Sequence, residues 1–310
     1  MPRTIGRRDF LKTGAGAGLA VAVSGVLGTG VAEAKDRRPV VGAAIGEDWG
    51  QAAVQAIALA GGIKKFVPKG AKVALLPNVQ SRHPGSFTKP EVLRAVIRLC
   101  KKAGAAEVNA LSWQPMKQWE DTGLKAVLDA EGAGLKLFGK DEALYKAVPV
   151  PNGVEIKEVR LLAAVFEHTV LINMPITKDH AGNKFTGSMK NLMGLNSPAS
   201  NRTFHKPKWQ TDPAETAFLD QSIVDLNKAF KPALNVVDAT EILVSNGPFG
   251  PGQLMRPNRV VAGTDRVAID AYCATLWGLK AEDIVQIKRG AEQGLGTINL
   301  EKIDLREERL

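Results

Sequence analysis

Short apolar runs and amphipathic stretches take turns along most of the chain. Residues 40–45 form an apolar run, and over 49–59 Ala53, Val54, Ile57 and Ala58 share one helical face. The spacing predicts a strand over 72–76 that ends at Pro77-Asn78. Thr88 stands where a helix N-cap belongs, with Pro90 in the first turn and Val92, Ala95, Val96 and Leu99 at helical spacing. Gly104 closes that helix, and 107–111 predicts the next strand. Further on, 124–128 reads as helical and 135–138 as extended. Residues 148–156 hold Pro151-Asn152-Gly153, a turn between two extended pieces, and 161–166 reads as helical. The most strongly apolar strand covers 169–174 and opens into a long polar loop. Strands over 234–237 and 259–262, then helices over 267–277 and 281–291, complete the pattern.

Strands alternating with helices of this length predict an α/β fold of three layers, a mainly parallel sheet with helices on both faces. Residues 116–158 break the alternation and mark an insertion or small subdomain. No repeat or linker separates a second domain, so 35–310 is expected to be a single α/β domain.

Residues 1–34 are different in kind. Thr4-Ile5-Gly6-Arg7-Arg8-Asp9-Phe10-Leu11-Lys12 sets an arginine pair ahead of Phe-Leu-Lys, and 15–31 is apolar and rich in Gly and Ala. Ala32-Glu33-Ala34 then supplies a small-x-small cleavage pattern, the layout of a twin-arginine export signal. The apolar stretch falls short of the roughly 20 residues that span a bilayer. Its glycines also make a weak helix. The expectation is passage through the twin-arginine translocase, cleavage after Ala34, and a periplasmic or otherwise extracytoplasmic protein with no stable membrane anchor. The signal carries four basic and two acidic residues, so cleavage lowers the net charge from +9 to +7. That excess is scattered, without the basic runs of a nucleic-acid surface, so no nucleic-acid partner is expected.

Open α/β sheets bind ligands at the carboxyl ends of their strands. The predicted strands end in Asn78, in Asn173 with Lys178 and His180, and in Asp238, which would gather these groups on one edge. Each also has a plainer reading as a turn or cap residue. Between 178 and 194, Thr186 can cap a short helix that begins Gly187-Ser188-Met189-Lys190-Asn191. A glycine there lets an anion approach free backbone N–H groups, with Lys178 and Lys190 adding charge; the alternative is a solvated loop before an ordinary helix. His180 and His205 are the acid–base or metal-ligating candidates, although their spacing fits no standard metal motif. Asp270 interrupts an apolar helix, where a carboxylate needs a partner, and Lys190 or Lys178 could supply one.

Together these segments resemble the bacterial and archaeal family known as domain of unknown function 362. The matching pieces are Leu76-Pro77-Asn78, Thr88-Lys89-Pro90, Ile172-Asn173-Met174-Pro175-Ile176-Thr177-Lys178-Asp179-His180 and Thr186-Gly187-Ser188-Met189-Lys190-Asn191, with His205, Val237-Asp238 and Asp265 to Asp270 completing the series. The resemblance runs from about Val73 to Ala271 and supports this fold and this choice of site residues. Many members carry ferredoxin-like cysteine clusters and are described as iron–sulfur proteins. This chain has only Cys100 and Cys273, too few for a cluster on four thiolates, so no iron–sulfur cluster of its own is expected. Three functions stay open: an enzyme acting on or through a bound anionic ligand or divalent metal, a non-catalytic binder of either, and an accessory subunit of a periplasmic redox complex.

Overall fold

Seven predicted strands, with the charged segment Asp304–Arg309 as an eighth that the apolar pattern does not mark, form one eight-stranded sheet in the computed structural model, which describes residues 38–310. The predicted signal and its cleavage point lie outside the described residues. In the first half, β1 (Val40–Ile45), α1 (Trp49–Leu59), β2 (Lys72–Pro77), α2 (Pro90–Lys102) and β3 (Glu107–Ser112) alternate. They lead through α3 (Met116–Asp121) and α4 (Leu124–Ala130) to β4 (Gly134–Leu137). A hairpin of β5 (Tyr145–Pro149) and β6 (Glu158–Leu162) follows, then β7 (Val170–Met174), α5 (Ser188–Asn191), α6 (Pro198–Phe204) and α7 (Pro213–Ala229). The chain closes with β8 (Leu234–Ala239), the short pair β9 (Ile242–Leu243) and β10 (Leu254–Met255), β11 (Arg259–Gly263), α8 (Arg266–Thr275), α9 (Val285–Glu292) and β12 (Asp304–Arg309).

The sheet runs β12-β1-β11-β8-β7-β2-β3-β4. Only β11 opposes its neighbours; every other pairing in the sheet is parallel. From β2 the chain builds outward through β3 to β4, then returns to add β7 and β8 on the other side. The reversal between β2 and β7 is a topological switch point, where connecting loops diverge and leave a crevice.

Side chains alternate between the two faces of the sheet, and the central strands are buried on both, which divides them between two layers. Val73 and Leu75 of β2 pack with Leu93, Ile97 and Ile57 from α1 and α2, while Ala74 and Leu76 face Leu192, Ile223 and Ile269. Burying one such side chain contributes roughly 1.5–3 kcal/mol. Truncating Leu93 or Ile97 to Ala would cost about 2–5 kcal/mol, because the cavity closes only partly. Gly42 lets α1 lie directly on β1, since a Cβ there would sit 2.3 Å from the Ala56 carbonyl oxygen. No helix among the described residues is long and apolar enough to cross a membrane.

Three local expectations change. Residues 161–166 are not an α-helix: Leu161 and Leu162 end β6, and a 3-10 turn spans Ala163–Glu167. Pairing with β5 claims those leucines, and cross-strand hydrogen bonds win over the short helical pattern. Residues 116–158 are only in part an insertion, because α3 and α4 lead into β4 of the main sheet and the decoration is the β5–β6 hairpin. Thr88 does not cap α2. Its buried hydroxyl donates to the Met174 carbonyl (2.6 Å) and accepts from the Asn78 amide (2.9 Å), tying the ends of β2 and β7 together.

Candidate active site

A cavity of about 470 Å³ opens over the carboxyl ends of β2, β3 and β7, at the switch point. Asn78, His180, Lys190, Asn191 and His205 all border it. These five of the sequence-predicted residues are therefore brought together. The remaining six lie behind the wall.

The floor is a chain of side-chain amides. Asn173 donates to Asn235 Oδ1 (2.9 Å) and accepts from Asn191 Nδ2 (2.8 Å); Asn191 Oδ1 accepts from Asn78 (3.0 Å). Asn78 Oδ1 in turn accepts from Lys178 Nζ (3.3 Å), whose ammonium also donates to the Ser86 carbonyl (2.7 Å). Every asparagine here is buried, so each amide must be matched, and the matching fixes which oxygen faces which nitrogen. Lys178 thus supports the floor from beneath and does not border the cavity. Burial, aided by the Lys190 charge, pushes its amine down to about 7.

The expected anion site at the start of α5 is taken by the protein itself. Asp270 of α8 accepts from the Ser188 amide (2.6 Å) and the Met189 amide (3.0 Å). Gly187 serves this contact, because a Cβ would fall 2.4 Å from Asp270 Oδ1. Asp270 therefore meets neither Lys178 nor Lys190, and Thr186 caps nothing: its buried hydroxyl has no hydrogen-bond partner among the described residues. Asp238 is likewise internal. Its carboxylate accepts from the Lys89 amide (2.7 Å) at the head of α2 and from the Thr240 hydroxyl (2.7 Å), and burial pushes its carboxyl up.

The cavity wall holds three aromatic rings in contact: Trp209 lies 4.9 Å from both His180 and His205, whose ring centroids are 6.4 Å apart. His180 Nδ1 lies 2.8 Å from the Ala181 carbonyl, and His205 Nδ1 3.0 Å from the Asn201 carbonyl. A carbonyl only accepts, so both Nδ1 atoms carry the proton and both Nε2 atoms present a lone pair. Burial, reinforced by the Lys190 charge, holds His180 well below its usual range and takes His205 down to about 3.

Lys190 is 7 % exposed, and its nearest side-chain acceptors are Asn183 Oδ1 at 3.4 Å and Met193 Sδ at 3.8 Å. Burial lowers its amine to about 7, with Asp220 opposing the shift. Asn183 donates to Asp220 Oδ1 (2.6 Å), so one amide bridges the lysine and the carboxylate. Asp220, Asn183 and Trp209 were not singled out from the sequence. Asp220 carries the signal that marked Asp270, a carboxylate among Leu219, Ile223 and Val224 on a buried helix.

A proline-rich loop forms part of the rim. The Gly247 amide donates to Asp179 Oδ2 (2.7 Å), and Ser81 Oγ donates to the Phe249 carbonyl (2.7 Å), which sets Pro248 and Phe249 beside the opening. Among the described residues, no group of three or more His, Cys, Asp or Glu side chains is placed to hold a metal ion. A metal on His180 and His205 would need its other ligands from outside that set. Cys100 and Cys273 are both free and buried, one in each layer, with the sheet between them.

Among curated proteins the chain is 26% identical over 217 residues to the thylakoid-associated protein sll1697 of Synechocystis sp., a match covering 68% of this chain and 64% of that relative's length. The lactate racemase apoprotein of Thermoanaerobacterium thermosaccharolyticum aligns with a TM-score of 0.45 at 13% identity, over 65% of this chain and 51% of that one. A Thermotoga maritima protein aligns with a TM-score of 0.42 at 12% identity, over 80% of this chain and 60% of its own. The family model described as domain of unknown function (DUF362) matches residues 73–275, more than half of the chain, and this protein belongs to that family.

Proposed function

We propose that this protein is an enzyme that moves a proton on a small anionic molecule, and that it works outside the cytoplasm after twin-arginine export. The observation that supports it most is the pair of Nε2 lone pairs, on His180 and His205, in one cavity with the buried ammonium of Lys190. Lys190 holds the anionic group and stabilises negative charge that develops beside it. An anion there offsets the very charge that helps depress His180, so substrate binding raises the basicity of the imidazole that takes the proton. Burial still favours the neutral ring, which suits a proton already acidified by the neighbouring ammonium. Asn78 keeps one N–H beyond its bond to Asn191 and donates it to the substrate, while Asn191, with both of its N–H groups committed, fixes the floor.

The test is hydrogen exchange in deuterated water across a panel of small organic acids, read by mass spectrometry. The purified protein should label at least one acid, and His180→Gln and Lys190→Met should each abolish the labelling. Labelling that survives both substitutions would remove the assignment.

A second reading is a metal-binding protein without turnover. The two imidazoles that share one wall, with ring centroids 6.4 Å apart, favour it, since a neutral imidazole is the metal-binding form. Elemental analysis separates the two: a stoichiometric divalent metal lost in His205→Ala supports the binder. A role beside a membrane redox complex leans on the relative's thylakoid association, and co-purification with a redox subunit is its test.

A further inference from the structure

The cavity's lining is lopsided in charge and graded in exposure. Every ionisable side chain that borders it is basic or imidazole, namely Lys140, Lys190, Arg202, His180 and His205, and no carboxylate among the described residues does so. Such a lining raises the local concentration of anions and repels cations. Lys190, His180 and Thr186 are buried and mark the inner end. Trp113 and Trp209 are half-buried, and Phe249 (49 % exposed), Lys140 and Arg202 stand at the mouth.

The inner end offers a single ammonium, that of Lys190, since the unpartnered Thr186 hydroxyl is shut off from the open space. One cation matches the single negative charge of a carboxylate. A phosphate dianion is a poor fit, because one cation faces it and the histidine lone pairs repel it. The outer half is walled by indole and phenyl rings, which stack on flat apolar groups. A volume of about 470 Å³ is within the usual range for small-molecule sites.

We infer that the molecule this cavity takes is an aromatic monocarboxylate, bound with its carboxylate inward at Lys190 and its ring against the indoles of Trp113 and Trp209. The inference rests on the reading of this cavity as a substrate site, and it adds the chemical class. Binding is measured without turnover, so it stands or falls separately from proton transfer.

Benzoate, benzamide, benzylamine, acetate and phenyl phosphate are titrated into the purified protein by calorimetry. Benzoate should bind about ten-fold more tightly than benzamide or acetate, the size expected for one charge-assisted contact or one buried ring, and benzylamine should not bind. Lys190→Gln should erase the preference for benzoate over benzamide while benzamide still binds, which shows that the variant is folded. Trp209→Leu should weaken benzoate and benzamide alike. Equal affinity for benzamide, equal affinity for acetate, tighter binding of phenyl phosphate, or no binding of benzoate would each overturn the inference. So would an unchanged preference in Lys190→Gln.

Discussion

The carboxylate of Asp270, on α8, closes the amino end of α5 at 2.6 Å from the Ser188 amide. An internal carboxyl group occupies the place where the sequence pattern suggests an external anion. The helix therefore serves to aim Lys190 and Asn191 at the cavity, and its own end is held from behind. Removing the charge while keeping the shape separates these roles. Asp270→Asn should cost about 1–3 kcal/mol, because a buried amide N–H loses its acceptor.

The same substitution has a pH signature. Burial outweighs both amide bonds and pushes the Asp270 carboxyl up to about 7. The unfolded value is about 3.9. Between those two values the folded chain holds a proton that the unfolded chain has lost, so the stability this group contributes declines as pH rises from about 4 to about 7. Urea melts at both ends of that window should show the parent's stability relative to Asp270→Asn shrinking as pH rises, while the depressed His180 and His205, which push stability the other way, act on both proteins alike. An equal slope in both would show that Asp270 titrates normally.

Much of this site was legible, for uneven reasons. Strand ends are readable because apolar runs stop where the sheet stops, which is why Asn78 and His180 were found at its edge. The direction of a side chain at that edge is not readable. Lys178 and His180 are two residues apart, yet one is beneath the amide floor and the other borders the cavity. Asp238 reads as a site residue because it ends a predicted strand, but its partners are the amide of Lys89, distant in sequence, and the Thr240 hydroxyl. Trp209 carries no signal in the sequence, because it stands in a polar loop and its role depends on two histidines that only the fold brings against it.

Gly187→Ala tests the close approach directly. The added Cβ would lie 2.4 Å from Asp270 Oδ1 and 2.5 Å from the Phe185 ring, neither of which is the loose end of a flexible chain. Overpacking of this kind costs about 1–3 kcal/mol, so a lowered melting temperature is expected. Benzoate affinity should fall as well, since α5 carries Lys190. An unchanged melting temperature would show that the two segments separate freely.

The cysteines give a simpler check. Cys100 and Cys273 are buried in opposite layers, and burial pushes the Cys100 thiol up to about 12 and the Cys273 thiol higher than its ordinary value. Thiolates are the reactive form, so neither should react with a thiol reagent in the native protein. Both should react once the chain is unfolded, and a reductant should leave the melting temperature unchanged. Protein purified from an oxidising compartment that shows no free thiol on unfolding would contradict this arrangement.

Lys190 and Asp220 form the most informative pair for function. Burial brings the Lys190 amine down to about 7, and Asp220, reached through Asn183, is the charge that resists the fall. His180 and His205 are depressed in part by the Lys190 charge and stay neutral near pH 7, and the same charge helps lower Lys178 beneath the floor. Binding of a carboxylate needs the ammonium, so benzoate affinity should hold below about pH 7 and decline above it. Asp220→Asn removes the supporting charge and lets the amine fall further, which moves the decline to lower pH while Asn183 keeps a partner of similar shape. Burial also pushes Asp220 up to about 6, so below that value the parent protein should approach the variant. Calorimetric titrations across this range distinguish tuning from scaffolding: a purely structural Asp220 would weaken binding equally at every pH, and only a charge acting on Lys190 displaces the profile.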